Sequence, residues 1–432
     1  MSVLLKKNLV FNVADREYVG LDLYRSRGGY TALQKVLGQS PEASIEELKN
    51  SGLRGRGGAA FPTAKKIEMV RDNAETERYV ICNADEGEPG TFKDRYIITH
   101  LTFQLLEGIT IAAYLAGASK GILYVRHEYW EPQNKLRASI KEATEAGLLG
   151  DNILGSGFSL HLEIFSGAGS YLCGEETALL NSIEGRKGRP RLKPPYPTQQ
   201  GLWGKPTLIN NVETLTNIPQ ILKNGAEWYR SLGTSDSHGT KLISLSGDIQ
   251  KRGLVEVPFG ITFREIIEQY GGGPKPGRTI KAVNIGGASG VLVPQEMLDT
   301  PLEYGACAQA GITIGSGAVF VLDDTRSILE NVHNRTRFFL HESCGKCTPC
   351  REGLRQTHTI IHQLLEGTAT SHDVDRLERY TDAMQHASFC GLGTAAGNSL
   401  CSSLHYYRKE YLDHCQDSGH AANEAGGREE IA

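Results

Sequence analysis

Arg78-Tyr79-Val80-Ile81-Cys82 runs directly into Asn83-Ala84-Asp85-Glu86-Gly87-Glu88-Pro89-Gly90. The first five residues form a short apolar run that reads as a strand. The next eight carry the Asp, Gly and Pro of a turn. Downstream, residues 101–115 have helical spacing and Gly121-Ile122-Leu123-Tyr124-Val125 is a second strand. Leu160-His161-Leu162-Glu163-Ile164 alternates as a half-buried strand, and 175–183 follows as a helix. Strand, helix and strand in succession predict an α/β sheet. Ligands of open α/β sheets bind beyond the carboxyl ends of the strands. The turn after Cys82 is therefore a candidate ligand loop. Asn83 offers a donor and an acceptor to a heterocycle edge, and Asp85 and Glu88 offer carboxylates to ribose hydroxyls. A plain acidic turn is the competing reading.

Three further segments belong with this sheet. Gly55-Arg56-Gly57-Gly58-Ala59-Ala60-Phe61-Pro62-Thr63 matches G-x-G-x-x-G/A, and its small side chains let amides approach a phosphate. The dinucleotide fingerprint requires a strand just before it. Here the preceding residues, Ala43-Ser44-Ile45-Glu46-Glu47-Leu48-Lys49, are helix-like and end near Gly52, so the ordinary version is rejected. Arg54, Arg56, Lys65 and Lys66 flank the loop, as suits an anion or a solvated basic surface. Gly167-Ala168-Gly169-Ser170-Tyr171-Leu172-Cys173-Gly174-Glu175-Glu176 follows a strand and opens a helix. Its paired acids stabilise the helix N-terminus or bond a nucleotide, and Cys173 reads as a buried small residue. Arg189-Pro190-Arg191-Leu192-Lys193-Pro194-Pro195-Tyr196-Pro197 is a stiff extended loop. Its Tyr196 presents a ring face to a base or to solvent. Asn210-Asn211-Val212-Glu213-Thr214 follows.

Near Thr240 the pattern changes. Residues 241–257 read as a hairpin turning at Lys251-Arg252-Gly253. Thr262-Phe263-Arg264-Glu265 is a capping box opening a helix that ends at Gly271-Gly272-Gly273. Strands at 280–285 and 318–322 complete a small α+β unit of β-grasp type. Beyond Asp324 the pattern is helical, near 325–341, 350–366, 372–387 and 395–415. The expected division is an N-terminal helical extension over 1–60, the α/β domain over 61–238, the small domain over 239–324, a helical bundle over 325–417 and a disordered tail over 418–432.

The bundle carries Glu342-Ser343-Cys344-Gly345-Lys346-Cys347-Thr348-Pro349-Cys350, with Cys390 forty residues beyond its last cysteine. Soft thiolates suit iron–sulfur clusters and zinc. Three cysteines in one run plus a distant fourth resemble cubane ligation, whereas four-thiolate zinc sites more often use two separated pairs. Cys82, Cys307, Cys401 and Cys415 have no such partners and read as inert, and His341 reads as a helix-end cation. Nine cysteines, an odd count, suit a reducing compartment with thiols kept for metal. A net charge of −4 over 432 residues argues against a nucleic-acid binder. No apolar run reaches the length of a membrane span, and the first twenty residues contain no signal-like core.

Together these segments resemble the flavin-bearing, NADH-oxidising 51 kDa-type subunits of respiratory complex I, over roughly residues 20 to 415. The resemblance rests on the glycine loop with Phe61-Pro62-Thr63, on Cys82 to Glu86 with Lys93-Asp94-Arg95, and on Gly167-Ala168-Gly169 with Cys173-Gly174-Glu175-Glu176-Thr177-Ala178-Leu179. Gly201-Leu202-Trp203-Gly204-Lys205-Pro206-Thr207, the Asn210 to Thr214 segment and the cysteine run complete it. It implies three parts: an α/β flavin and nucleotide domain, a ubiquitin-like domain and an all-α bundle. It implies FMN held by Gly55, Arg56, Gly57, Gly58, Lys66, Asn83, Gly174, Glu175, Asn210, Asn211 and Thr214. NADH would lie over the flavin, with Phe61 and Tyr196 on the adenine and Glu88, Glu176 and Lys193 near its polar groups. Asp85 and Tyr171 join the candidate cofactor set. One 4Fe–4S cluster would sit on Cys344, Cys347, Cys350 and Cys390. The implied partners are a thioredoxin-like 2Fe–2S subunit and a large iron–sulfur subunit of the peripheral arm, on the cytoplasmic face of the bacterial inner membrane. A diaphorase subunit of a soluble hydrogenase or formate dehydrogenase is the second expectation, placed behind the first because such chains often carry extra domains not seen in these residues. A zinc-knotted scaffold is the third. Family members usually have Gly where Ala60 and Ala64 stand, and rings at Ile67 and Met69, so weaker nucleotide binding is expected.

Overall fold

The computed structural model describes residues 2–4, 10–11 and 18–417; the tail expected over 418–432 lies outside them. The strands are β1 (Ser2–Leu4), β2 (Tyr79–Ala84), β3 (Lys120–Val125), β4 (His161–Ser166), β5 (Thr207–Asn211), β6 (Thr240–Gly247), β7 (Gly253–Pro258), β8 (Ile280–Ile285), β9 (Val291–Pro294) and β10 (Ala318–Asp323). They form a four-stranded sheet in the order β4-β3-β2-β5 and a six-stranded sheet in the order β1-β7-β6-β10-β8-β9.

The first sheet is wholly parallel. Parallel strands need crossover connections, and the helix Thr102–Ala116 lies in the one between β2 and β3. That helix is apolar almost all round and nearly every residue is buried, as expected of a core element. The helix Val212–Asn224 packs on it at close range. A Cβ on Gly108 would come within 2.1 Å of the Leu215 carbonyl oxygen, so only glycine fits the crossing.

The expected N-terminal helical extension includes the helices Leu21–Ser26, Thr31–Leu37 and Pro41–Ser51. They share one apolar core with the first sheet: Leu33, Val36, Ile45 and Leu48 belong to the same buried cluster as Val80, Ile97 and Leu123. Buried Glu107 fastens them, accepting from Tyr24 Oη at 2.6 Å, Tyr30 N at 2.9 Å and Leu33 N at 3.0 Å. Residues 2–4 depart from the helical expectation. They are a strand pairing in parallel with Gly253–Val255 on the second sheet.

The second sheet is mixed. The expected hairpin is β6 and β7, antiparallel. β10 lies parallel to β6 and antiparallel to β8. β9, not anticipated, pairs with β8. The Thr262 capping box is present, but the helix it opens changes to π geometry at Ile266–Tyr270. The bundle comprises Ile328–Glu342, Thr348–Leu365, Ser371–Ala387 and Asn398–Asp413, with a short helix at Gly391–Ala395. Ser327 caps the first of these helices, and a Thr370–Asp373 capping box opens the third. Val332, Ile361, Leu377 and Leu400 form its interior.

Candidate functional site

The chain leaves β2 for β3 and β4 on one side, then returns to place β5 on the other. Connections that depart in opposite directions open a crevice at the carboxyl ends of the strands on either side of the reversal, β2 and β5. β2 and β5 run in register there, Cys82 beside Asn210 and Asn83 beside Asn211. Asn211 caps the helix Val212–Asn224, its side chain accepting from Glu213 N at 3.0 Å. The crevice floor is thus the positive end of a helix.

The glycine loop closes one side. It joins two helices, Pro41–Ser51 and Thr63–Arg71, with no strand before it. It doubles back on itself, Gly55 N donating to Phe61 O at 2.9 Å and Thr63 N to Leu53 O at 2.9 Å. A Cβ on Gly57 would lie 2.9 Å from the Asn211 Cβ, so the loop lies against the end of β5. Gly57 and Gly58 are exposed. Ala60 adopts φ +53°, the left-handed region. Ala64 and Ile67 are buried in the main core.

Arg56 corrects an expectation. Its guanidinium is buried rather than directed to an anion. It donates to Tyr229 Oη at 2.8 Å, Tyr304 Oη at 2.9 Å and His238 O at 2.9 Å, and lies over the Phe259 ring. Its backbone N–H donates to Thr214 Oγ1 at 2.8 Å. Arg56 and Thr214 therefore hold the loop down and tie it to the second sheet.

On the opposite side, Asn83 Nδ2 donates to Gly174 O at 2.9 Å. Glu175 caps the helix Glu176–Ile183, accepting from Thr177 N and Ala178 N. Lys193 donates to Glu175 at 3.0 Å and Glu176 at 2.8 Å, and Lys66 donates to Glu176 at 3.1 Å and Ile209 O at 2.8 Å. Burial would raise the Glu176 carboxyl, but the two ammonium groups hold it below the usual range. Two polar atoms here are buried with no protein partner, Asp85 Oδ2 and Asn210 Nδ2. Burial pushes the Asp85 carboxyl up to about 7 against the pull of Arg126. An acceptor-or-donor carboxyl and a free amide at a strand-end crevice fit a polar heterocycle with donors and acceptors on its edge. The helix Thr63–Arg71 packs against Pro197–Gln200. The rings just before each, Phe61 and Tyr196, are 43% and 49% exposed.

Glu88 and Tyr171, expected as ligand contacts, bond each other at 2.6 Å. Glu88 also accepts from Ser289 N at 2.9 Å and Ser289 Oγ at 3.0 Å, while Tyr171 N donates to Glu342 at 3.0 Å. The pair joins the first sheet's loops to the second sheet and to the bundle.

The sequence reading missed the charged group beneath the crevice. Lys93 donates to Asp94 at 2.6 Å and to Asn211 Oδ1 at 3.0 Å, and Asn211 Nδ2 donates to Asp94 Oδ2 at 2.7 Å. Glu213, wholly buried, lies 2.6 Å from Lys241 Nζ and 3.1 Å from Lys93 Nζ. Burial opposes its ionisation, but the two lysines hold the carboxyl below its usual range. These contacts fix the Asn211 amide. The signal available was Glu213, two residues beyond Asn211, together with Lys93-Asp94-Arg95, ten residues beyond Asn83.

The four cysteines come together at the bundle end nearest the crevice. Cys347 and Cys390 are the N-cap residues of Thr348–Leu365 and Gly391–Ala395. Cys350 lies in the first turn of the former. All four pack into one cluster with Leu172, Phe339 and Met384. Burial pushes the Cys350 thiol up to about 11, and Cys347, Cys390 and Cys344 each add to the rise, so the sulfurs lie within electrostatic reach of one another. Among the described residues no three His, Cys, Asp or Glu side chains converge on a single-ion position. Four thiols around one space fit a cluster larger than one ion. Lys346 donates to Pro190 O at 2.7 Å and Arg189 to Cys344 O at 3.4 Å, so the crevice loop touches the cysteine loop. Leu172 packs among the cysteines while Gly174, two residues on in the same 3-10 turn and about 4 Å along its axis, bonds Asn83. Cys82, Cys307 and Cys415 are buried, and Cys401 is exposed.

Comparison with known proteins agrees with this layout. The Nuo51 FMN-binding domain matches residues 48–220, and the NADH-ubiquinone oxidoreductase-F iron-sulfur binding region matches 330–414. The second NADH-quinone oxidoreductase F subunit of Rhizobium meliloti is 44% identical over 92% of this chain and 94% of its own. The NADH-quinone oxidoreductase F subunit of Escherichia coli is 44% identical over 92% and 90%. The HndC subunit of the NADP-reducing hydrogenase of Solidesulfovibrio fructosivorans is 42% identical over 92% and 81%. The crystal structure of an NAD+-reducing [NiFe]-hydrogenase in the H2-reduced state is similar with a TM-score of 0.84 at 38% identity, over 96% of this chain and 71% of that one.

Proposed function

The chain belongs to the family of NADH-quinone oxidoreductase F subunits, and from that premise we propose that it oxidises NADH, using FMN in the crevice and one 4Fe–4S cluster on Cys344, Cys347, Cys350 and Cys390. The observation that carries this reading is that the matched FMN-binding segment, 48–220, contains the whole β2–β5 crevice.

Bound FMN would take the nicotinamide hydride as an electron pair and release electrons singly, chemistry that no side chain here supplies. The protein's part is position. Gly57 and Gly58 with the helix end at Asn211 offer amides to the phosphate, while Gly55, whose N–H is held by Phe61 O, shapes the loop and Arg56 and Thr214 keep it in place. Asn83, Asp85, Gly174 and Asn210 face the heterocycle, the unpartnered Asp85 and Asn210 atoms finding partners on it. Lys66, Glu175, Glu176 and Lys193 form the polar wall beside NADH, and Phe61 and Tyr196 supply ring faces for the adenine. Glu88 and Tyr171 act by holding the walls together. Orientation of this kind is a large part of the rate of a transfer between stacked rings. The contact of Arg189 and Pro190 with the cysteine loop keeps the two cofactor positions adjacent, which suits one-electron passage between them.

The mixed second sheet with its single capped helix supports the ubiquitin-like reading of 239–324, and the bundle that of 325–417. The described helices of 1–60 share the core of 61–238, so the two form one folding unit. In the assembly the cysteine end delivers electrons to a thioredoxin-like 2Fe–2S subunit and a large iron–sulfur subunit, toward quinone, on the cytoplasmic face of the inner membrane. Among the described residues no single helix is long and apolar enough to cross a membrane, and the bent pair Lys93–His100 and Thr102–Ala116 that passes on composition contributes to the main core. A diaphorase role beside a hydrogenase is the second reading, favoured by the likeness to the hydrogenase subunit and structure.

The test is anaerobic purification with flavin, iron and zinc quantified together, followed by NADH titration in the visible spectrum. One FMN, iron matching one 4Fe–4S cluster and bleaching by NADH are expected. A colourless, zinc-loaded preparation unresponsive to NADH would sink the proposal. Reversible NAD+ reduction driven by a co-purifying hydrogenase would select the second reading.

A further inference from the structure

A second cluster of ligating side chains lies in the bundle, apart from the cysteines. His333 is on the helix Ile328–Glu342, and His358 and His362 are on Thr348–Leu365. Residues four apart share a helix face, so His358 and His362 both front His333. The ring centroids are 4.8 Å (His333–His358), 5.9 Å (His333–His362) and 6.5 Å (His358–His362) apart. The Nε2 atoms of His333 and His358 are buried with no hydrogen-bond partner. An unsatisfied buried donor or acceptor is costly, and two on rings 4.8 Å apart across one helix pair invite a common partner. His362 is at the open end, 56% exposed, with Nε2 3.3 Å from Glu366 Oε1.

We propose that His333, His358 and His362 bind one divalent transition-metal ion of the zinc class, with Glu366 beside the remaining coordination position. Metal–nitrogen bonds of ~2.0–2.1 Å place imidazole centres roughly 5 Å apart around a tetrahedral ion, a spacing within the observed range. The rings now stand within 16° to 30° of parallel, and their nitrogens do not yet converge on one point. Binding therefore requires rotation about χ2, a torsion with a broad minimum, to bring three nitrogens to one ion. Burial, then the neighbouring imidazoles, hold His333 and His358 below the usual histidine range, with Arg337 adding to the effect. Arg337 opposes a cation and Glu366 favours one.

His358 is ten residues beyond the start of its helix, about 15 Å along the axis. The ion would clamp the two helices that flank the Cys344–Cys347 loop, the second of which carries Cys350, well above the loop itself. It would stabilise the hairpin by preferential binding to the folded form.

The test is Zn2+ titration of the untagged holoprotein by dye competition, with a thermal melt and a Co2+ spectrum. Wild type should bind one more ion per chain than the His333→Gln/His358→Gln double variant, and its melting temperature should rise with Zn2+. His362→Gln, a surface change that leaves folding intact, should weaken binding about tenfold or more. His386→Gln, on an exposed surface, should not alter it. The bound Co2+ should lack thiolate charge-transfer bands. Equal uptake by wild type and both cluster variants, no uptake, or a thiolate spectrum placing the ion on cysteine would overturn the proposal.

Discussion

Replacing Asp85 by asparagine in the flavin-free chain tests whether the crevice holds a protonated carboxyl before its ligand arrives. Asp85 Oδ2 is buried and unpartnered. Burial raises its pKa from the ordinary 3.8 to about 7; Arg126 pulls it down, while Glu128 and Glu342 push it up. A carboxyl raised in the folded state keeps a proton that the unfolded chain has released. The folded state then binds more protons between about pH 4 and pH 7, and stability falls as pH climbs through that window. From pH 5 to pH 7 the slope is about 1.4 kcal/mol per pH unit for one proton, or ~2–3 kcal/mol in all. An asparagine side chain has the same shape and no charge. The stability of Asp85→Asn relative to wild type should therefore increase by ~2–3 kcal/mol between pH 5 and pH 8. Burial raises Glu86 and Glu256 to about 7 as well. They tilt both curves equally, so the difference isolates Asp85. Trp130, Trp203 and Trp228, the chain's three tryptophans, all lie in the first-sheet unit. Urea unfolding followed by tryptophan fluorescence therefore reports on the right part of the molecule. A wild-type-to-variant difference that is flat with pH, or that shrinks, would refute the reasoning.

Ala60→Gly should stabilise. The left-handed conformation costs an L-residue ~1–2 kcal/mol and added freedom in the unfolded chain returns ~0.4–1, leaving a gain of ~0.5–1 kcal/mol in urea; a lower midpoint contradicts this. Asn210→Ala removes a buried amide that has no protein partner. Flavin-free stability should change by less than ~1 kcal/mol, while FMN affinity, read by quenching of flavin fluorescence, drops about tenfold; unchanged affinity removes Asn210 from the site. Glu88→Ala removes the acceptor of the Tyr171 hydroxyl and of both Ser289 donors and the carboxylate that supports the half-buried Arg335. A loss of ~2–3 kcal/mol is expected, with weaker NADH binding as the walls loosen and FMN content retained; an unshifted melting curve would show that the bridge contributes nothing.

Local chemistry made much of this legible. The 3.6-residue and two-residue periods, the stop at Gly52 and the Thr262–Glu265 capping box each depend on residues a few positions apart. The cysteine spacing is equally local, since Cys344, Cys347 and Cys350 lie around one helix start. The rejection of a dinucleotide fingerprint also followed from the flank of the loop alone. The π geometry at Ile266–Tyr270, strand β9 and the pairing of Ser2–Leu4 with β7 escaped because neighbours distant in sequence impose them.

The sequence by itself determined many of the elements, several of their caps and stops, and which thiols and asparagines are available for chemistry. Only the tertiary structure decided that β5 lies beside β2, setting Asn210 and Asn211 next to Cys82 and Asn83 across more than a hundred residues of chain. It alone turned the Arg56 side chain away from the crevice and joined Glu88 to Ser289. The reason is range: caps and periodicities act within a turn or two of backbone, whereas strand order and buried-charge partners are chosen by which distant surfaces can desolvate together.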